Sequence, residues 1–160
     1  MNPTMIHIAN LYKVTQWLFD EAVKKVKPED VPVRPQDRAN SFLFVAGHMT
    51  WTRFSLAKFI GLNEEWPHMS LFEIGAEPKD ASVYPPLAEI KQAFDAVSEK
   101  INARIPELTE ADLAGQPPFK IPNVEESAGG IVSFLSMHEA YHVGQLAYIL
   151  RLHGGEQLVG

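Results

Sequence analysis

Two histidines, His138 and His142, stand four residues apart in an apolar stretch near the end of the chain. On a helix, residues at that spacing have Cβ atoms roughly 5 to 6 Å apart, so both imidazoles can reach one cation as neighbouring ligands. Ile131, Phe134, Leu135, Gln145, Ile149 and Leu152 fall on the same helical face. Desolvating two adjacent imidazoles there without an ion is costly. His48 is the best third donor, because it lies in the middle of a second apolar segment between Phe44 and Trp51. Alone, it would read as a hydrogen-bonded core residue, so its ligand role depends on the pair. Three neutral imidazoles accept zinc, nickel, iron or cobalt and leave positions open for water or substrate. His7, His68 and His153 fall near helix ends or in a connector and read as surface residues.

The string His138-Glu139-Ala140-Tyr141-His142 also matches HExxH, in which two histidines bind zinc and the glutamate activates water for peptide hydrolysis. Its surroundings argue against a protease. The extended form of the motif needs glycine and histidine three and six places after the second histidine, where this chain has Gln145 and Tyr148. Little chain remains after His142 to bring a later glutamate ligand. Glu139, about 100° around the helix from His138, reads as a surface or helix-contact carboxylate, or as a group that orients an imidazole.

Four segments with helical periodicity position these residues, and proline-rich or glycine-rich stretches separate them. That pattern predicts an all-α four-helix bundle in a single domain spanning residues 1–160. The first helix is expected at about 4–26, with a stripe of Ile8, Leu11, Tyr12, Thr15, Leu18, Phe19, Ala22 and Val26. The second, at about 40–60 with Asn40 as N-cap, is apolar around most of its circumference and must lie deep or at a partner interface. The third follows Pro85-Pro86 and carries Leu87, Ile90, Phe94, Val97, Ile101 and Ile105. The fourth, at about 130–153, ends at Gly154-Gly155 and is long enough, at roughly 36 Å, to span the bundle. Residues 62–86 form a long connector with one helical turn around 70–74. Residues 107–129, with Gly115, Pro117, Pro118 and Pro122, read as irregular.

Composition removes several classes of function. The chain has no cysteine, so disulfides, thiolate ligands and a cysteine nucleophile are all absent. Its formal net charge of -6 disfavours a nucleic-acid partner. The N-terminus lacks a signal-peptide pattern and no long uncharged apolar run occurs, so no membrane association and a cytoplasmic location are expected.

Residues 138–145, His-Glu-Ala-Tyr-His-Val-Gly-Gln, together with residues 46–51, Ala-Gly-His-Met-Thr-Trp, give the chain its resemblance to the DinB-like superfamily of metal-binding four-helix bundles. The order of helices and connectors extends that resemblance over nearly the whole chain. It implies a metal site of His48, His138 and His142 and a homodimer. In the superfamily's characterised branches it implies transfer or isomerisation with a low-molecular-weight thiol such as bacillithiol or mycothiol. The chemistry agrees independently, since a divalent ion activates a bound thiol or water at neutral pH and this chain has no thiol of its own. Gln145 and Glu139 are the candidate catalytic side chains, Gln145 by hydrogen bonding the bound species. Gly144 would let a helix or ligand approach. A metal-dependent hydrolase of a small molecule and a noncatalytic metal-binding stress or damage-response protein are the alternatives.

Overall fold

The computed structural model describes residues 3–117 and 120–159. Pro118 falls outside them. The long helices are α1 (Pro3–Lys25), α2 (Phe42–Phe59), α4 (Leu87–Arg104) and α6 (Ala128–Leu152), with short helices α3 (Met69–Phe72) and α5 (Glu110–Ala114) in the connectors. No strand occurs among the described residues, and none of the described helices is long and apolar enough to cross a membrane.

Local chemistry sets the helix ends. Ser41, not Asn40, caps α2, its hydroxyl accepting from the Phe44 N–H at 3.2 Å. Ser127 caps α6, accepting from the Gly130 N–H at 3.0 Å, so this helix begins two residues earlier than its apolar pattern suggests. At the far end Gly154 adopts φ 73°, which allows the Gly155 N–H to reach back to the Leu150 carbonyl at 2.8 Å and close the helix. Within the connector before α6, residues 110–114 are helical where an irregular segment is expected. Thr109 and Asp112 satisfy each other's backbone N–H groups in a capping box that starts α5.

Helix α1 packs on α6, α6 on α2, α2 on α4, and α4 back on α1, which places α1 diagonally opposite α2. The connector after α2 folds over it through Trp66, Phe72 and Tyr84, all buried. Intramolecular cover therefore accounts for the all-round apolar character of α2, and the exposed large apolar side chains lie elsewhere. On α1 they include Leu11, Val14 and Trp17, and on α6 Met137, Tyr141, Tyr148 and Leu152. Leu11, expected inside, is 49% exposed because the buried stripe of α1 runs through Met5, Ala9, Tyr12, Thr15, Phe19 and Ala22.

The inward face of α6 matches its expected position only in part. Ile131, His142 and Ile149 of the expected stripe are buried, but so are Val132, Ser136, Glu139, Val143, Leu146 and Leu150, while His138 is half-buried and Leu152 is exposed. Glu139 is thus a core residue. Its carboxylate accepts from Arg53 Nε at 2.7 Å and from Thr15 Oγ1 at 2.6 Å, and both side chains of the Arg53–Glu139 ion pair are fully buried. The Arg53 guanidinium also donates to the Tyr12 carbonyl at 2.8 Å and lies 4.9 Å from the ring centres of Tyr12 and Phe94. One side chain from α2 therefore touches α1, α4 and α6 at the centre of the bundle.

Candidate metal centre

Helix α2 contributes His48 and helix α6 contributes His138 and His142. One ring nitrogen from each lies within 4.8 Å of the others, and this is the one group of three or more such donors among the described residues. The Nε2 atoms of His138 and His142 are 3.1 Å apart, a spacing suited to two donors about 2.1 Å from a shared cation. The rings of His48 and His142 lie 4.7 Å apart centre to centre, and those of His48 and His138 5.6 Å.

Hydrogen bonds fix two of the three tautomers. His48 Nδ1 lies 2.7 Å from the Phe72 carbonyl, which only accepts, so Nδ1 carries the proton and Nε2 presents a lone pair. His142 Nδ1 lies 2.7 Å from Gln145 Oε1, with the same result. His138 Nδ1 is buried without a partner, so its tautomer follows from whatever engages Nε2. Outer contacts of this kind orient imidazole ligands in metal sites.

The Phe72 carbonyl is held in place by close packing. The Phe72 ring lies directly on Gly47, where a Cβ would come within 2.1 Å of Cε1. Phe72 also stacks on Trp66 and Tyr84. Only glycine admits the ring here, and the ring's position carries the carbonyl to His48.

Burial keeps the rings neutral. His48 and His142 are each 9% exposed. Desolvation pushes the pKa of His142 down to about 4, more than its hydrogen bond to Gln145 raises it, and the neighbouring histidines lower it further. Burial also lowers His48, against the pull of the Phe72 carbonyl, and lowers His138 with help from His48. Three uncharged imidazoles with converging lone pairs suit a divalent cation and oppose a cluster of protonated rings.

The donors open into a cavity of about 350 Å³. Phe44 and Val45 supply its apolar surface, Asn40, Tyr141 and Gln145 are polar lining groups, and residues 73–76 join from the segment after α3. Larger hollows lie along the outer side of α2 and near the start of α6, but the three-donor group belongs to the smaller cavity. Gln145, expected to face a bound species, has its amide oxygen engaged by His142 and its amide nitrogen 3.1 Å from Tyr141 Oη. Glu139, pointing into the core, is absent from the cavity. Gly144 is exposed, and a Cβ there would meet open space, so none of the described helices approaches it.

Sequence reasoning missed Tyr141, Asn40 and Glu73 as cavity residues. Tyr141 had a usable signal, since it precedes His142 and sits one turn before Gln145. A connector residue such as Glu73 has none, because its position depends on how residues 62–86 fold over α2.

Comparison with known proteins places this arrangement. YfiT from Bacillus subtilis, described as "a probable metal-dependent hydrolase with an unusual four-helix bundle topology", superposes with a TM-score of 0.67 at 13% identity, covering 96% of this chain and 90% of that one. At that identity the likeness establishes the fold. No match was found among curated proteins. The family model of the DinB superfamily matches residues 11–146, a span that includes His48, His138 and His142. The chain therefore belongs to the DinB superfamily.

Proposed function

We propose that the chain holds one divalent metal ion at His48, His138 and His142 and uses it to transfer a low-molecular-weight thiol to a small electrophile. The observation that carries this reading is the convergence of three neutral imidazole donors within 4.8 Å beside an accessible cavity. A divalent cation on three such donors lowers the pKa of a coordinated thiol or water, which makes a nucleophile available at neutral pH.

The chain's own residues prepare for that chemistry in three ways. Burial keeps the imidazoles uncharged and able to donate their lone pairs. The Phe72 carbonyl and the Gln145 amide hold two rings with Nε2 directed at a common point. Phe44 and Val45 give the cavity an apolar surface against which a small substrate can shed water. Because the chain contains no cysteine, the thiol must arrive as a co-substrate.

Metal-dependent hydrolysis is the second reading, favoured by the description of YfiT and served by the same donors with water as nucleophile. The exposed apolar side chains of α1 and α6 support a homodimer, which sedimentation would reveal as twice the chain mass. The catalytic readings separate in one assay. Protein loaded with zinc, nickel or iron is incubated with a small thiol and an epoxide or activated halide. Conjugation above the protein-free rate, abolished in His142→Ala, is the expected result. Product formed without thiol would favour the hydrolase, and no product from fully loaded protein would leave a noncatalytic metal-binding role.

A further inference from the structure

The amide of Gln145 is committed at both ends. With His142 Nε2 given to the metal, His142 Nδ1 bears the proton and requires the amide oxygen, 2.7 Å away, as its acceptor. The amide nitrogen must then face Tyr141, where it donates to Oη at 3.1 Å. Tyr141 Oη is thus an acceptor in this chain of bonds, and its own O–H is left to donate. None of the described residues accepts that proton.

The setting of Tyr141 gives the free donor a use. Its ring centre is 5.2 Å from that of His142, and the residue lines both the histidine cavity and an adjoining hollow of about 490 Å³. At 59% exposure it is reachable from solvent. A tyrosine serving only as surface cover would not need its hydroxyl held by the residue that also orients a metal ligand.

We infer that Tyr141 donates a hydrogen bond to an oxygen of the molecule that reacts at the metal, and that Gln145 positions both this hydroxyl and His142. The inference rests on the metal reading above and narrows its substrate class. The electrophile carries an acceptor oxygen next to its reacting carbon, as a carbonyl compound or an epoxide does. Negative charge that builds on that oxygen as the nucleophile attacks strengthens the bond, so the donor favours the transition state over the ground state.

The test uses the full-length chain loaded with cobalt(II), whose visible absorption reports the metal and anything added to it. Two probes are titrated: acetohydroxamate, which presents oxygen acceptors, and ethanethiol, which has none. In Tyr141→Phe the cobalt load and ethanethiol affinity should match the parent, while acetohydroxamate should bind about tenfold more weakly, the scale of one lost hydrogen bond to a charged group. Gln145→Ala should weaken acetohydroxamate similarly and also lower cobalt affinity. Unchanged acetohydroxamate binding in Tyr141→Phe would overturn the inference, and so would an equal loss of both probes, which would make Tyr141 a shaping residue. A parent chain that takes up no cobalt would refute the metal reading itself, and that result appears before either probe is added.

Discussion

Replacing Glu139 with glutamine separates two roles that its place in an HExxH string confuses. A catalytic glutamate would leave stability almost untouched and remove activity. In the fold, however, both side chains of the Arg53–Glu139 pair are fully buried. The carboxylate takes bonds from Arg53 Nε at 2.7 Å and Thr15 Oγ1 at 2.6 Å, as well as from Arg53 Nη2. Glutamine keeps the shape but offers one acceptor oxygen, and it sets an NH2 group against donors. Arg53 then remains charged and incompletely paired in the interior. Breaking such a pair costs about 3 to 5 kcal/mol when a partner is removed outright, and the surviving amide oxygen places Glu139→Gln near the lower end, at about 3 kcal/mol. For a domain of this size that lowers Tm by about 6 to 12 °C. Thermal unfolding by circular dichroism reads the loss, while metal content at 20 °C should stay at the parent level. Unchanged Tm together with lost metal or activity would refute the core assignment.

Other expected outcomes follow from the same contacts. Replacing the pair together, as Arg53→Met with Glu139→Leu, should recover much of the lost stability, because apolar side chains of similar volume carry no desolvation cost; denaturant unfolding checks this. Gly47→Ala drives a methyl into the Phe72 ring, which Trp66 and Tyr84 prevent from retreating. Its overpacking cost of about 1 to 3 kcal/mol exceeds the helix-propensity gain of up to about 1 kcal/mol, and metal affinity should fall about tenfold or more as the Phe72 carbonyl leaves His48; unfolding and metal titrations measure the two effects. The metal-free protein should lose stability on acidification. The folded pKa of His142, about 4, is below the ordinary 6.5, so the unfolded chain binds more protons between those values; stability should hold above pH 6.5 and decline toward pH 4. A melting series across that range should show the decline, and flat stability would contradict the burial of His142.

Much of this was legible because it depends on local patterns. The helix segments follow from periodicity and from their proline and glycine boundaries, and the His138/His142 spacing survives any small error in helix rotation. What was lost depends on rotation and tertiary cover. The histidines and the apolar residues in phase with them set the inferred face of α6, which leaves Glu139 about 100° away from a centre it in fact shares, and Leu11 fits the α1 stripe by its spacing from Ile8 and Thr15 although that flank of the helix is exposed. Arg53 offered a clue, as a single arginine in the middle of the apolar segment 42–57, for which a buried partner was required. The short helix α5 also had a signature in Thr109-x-x-Asp112. No local pattern announced that Phe72 would lie on Gly47, because that contact exists only once residues 62–86 have folded over α2.

In the proposed site, three imidazoles from two helices hold one cation. Crystals grown with zinc, examined by anomalous scattering at the zinc edge, test it most directly. One peak per chain is expected, about 2.1 Å from Nε2 of His48, His138 and His142 and absent in His142→Ala. A fully occupied zinc bound elsewhere, or those three rings without a peak between them, would contradict it.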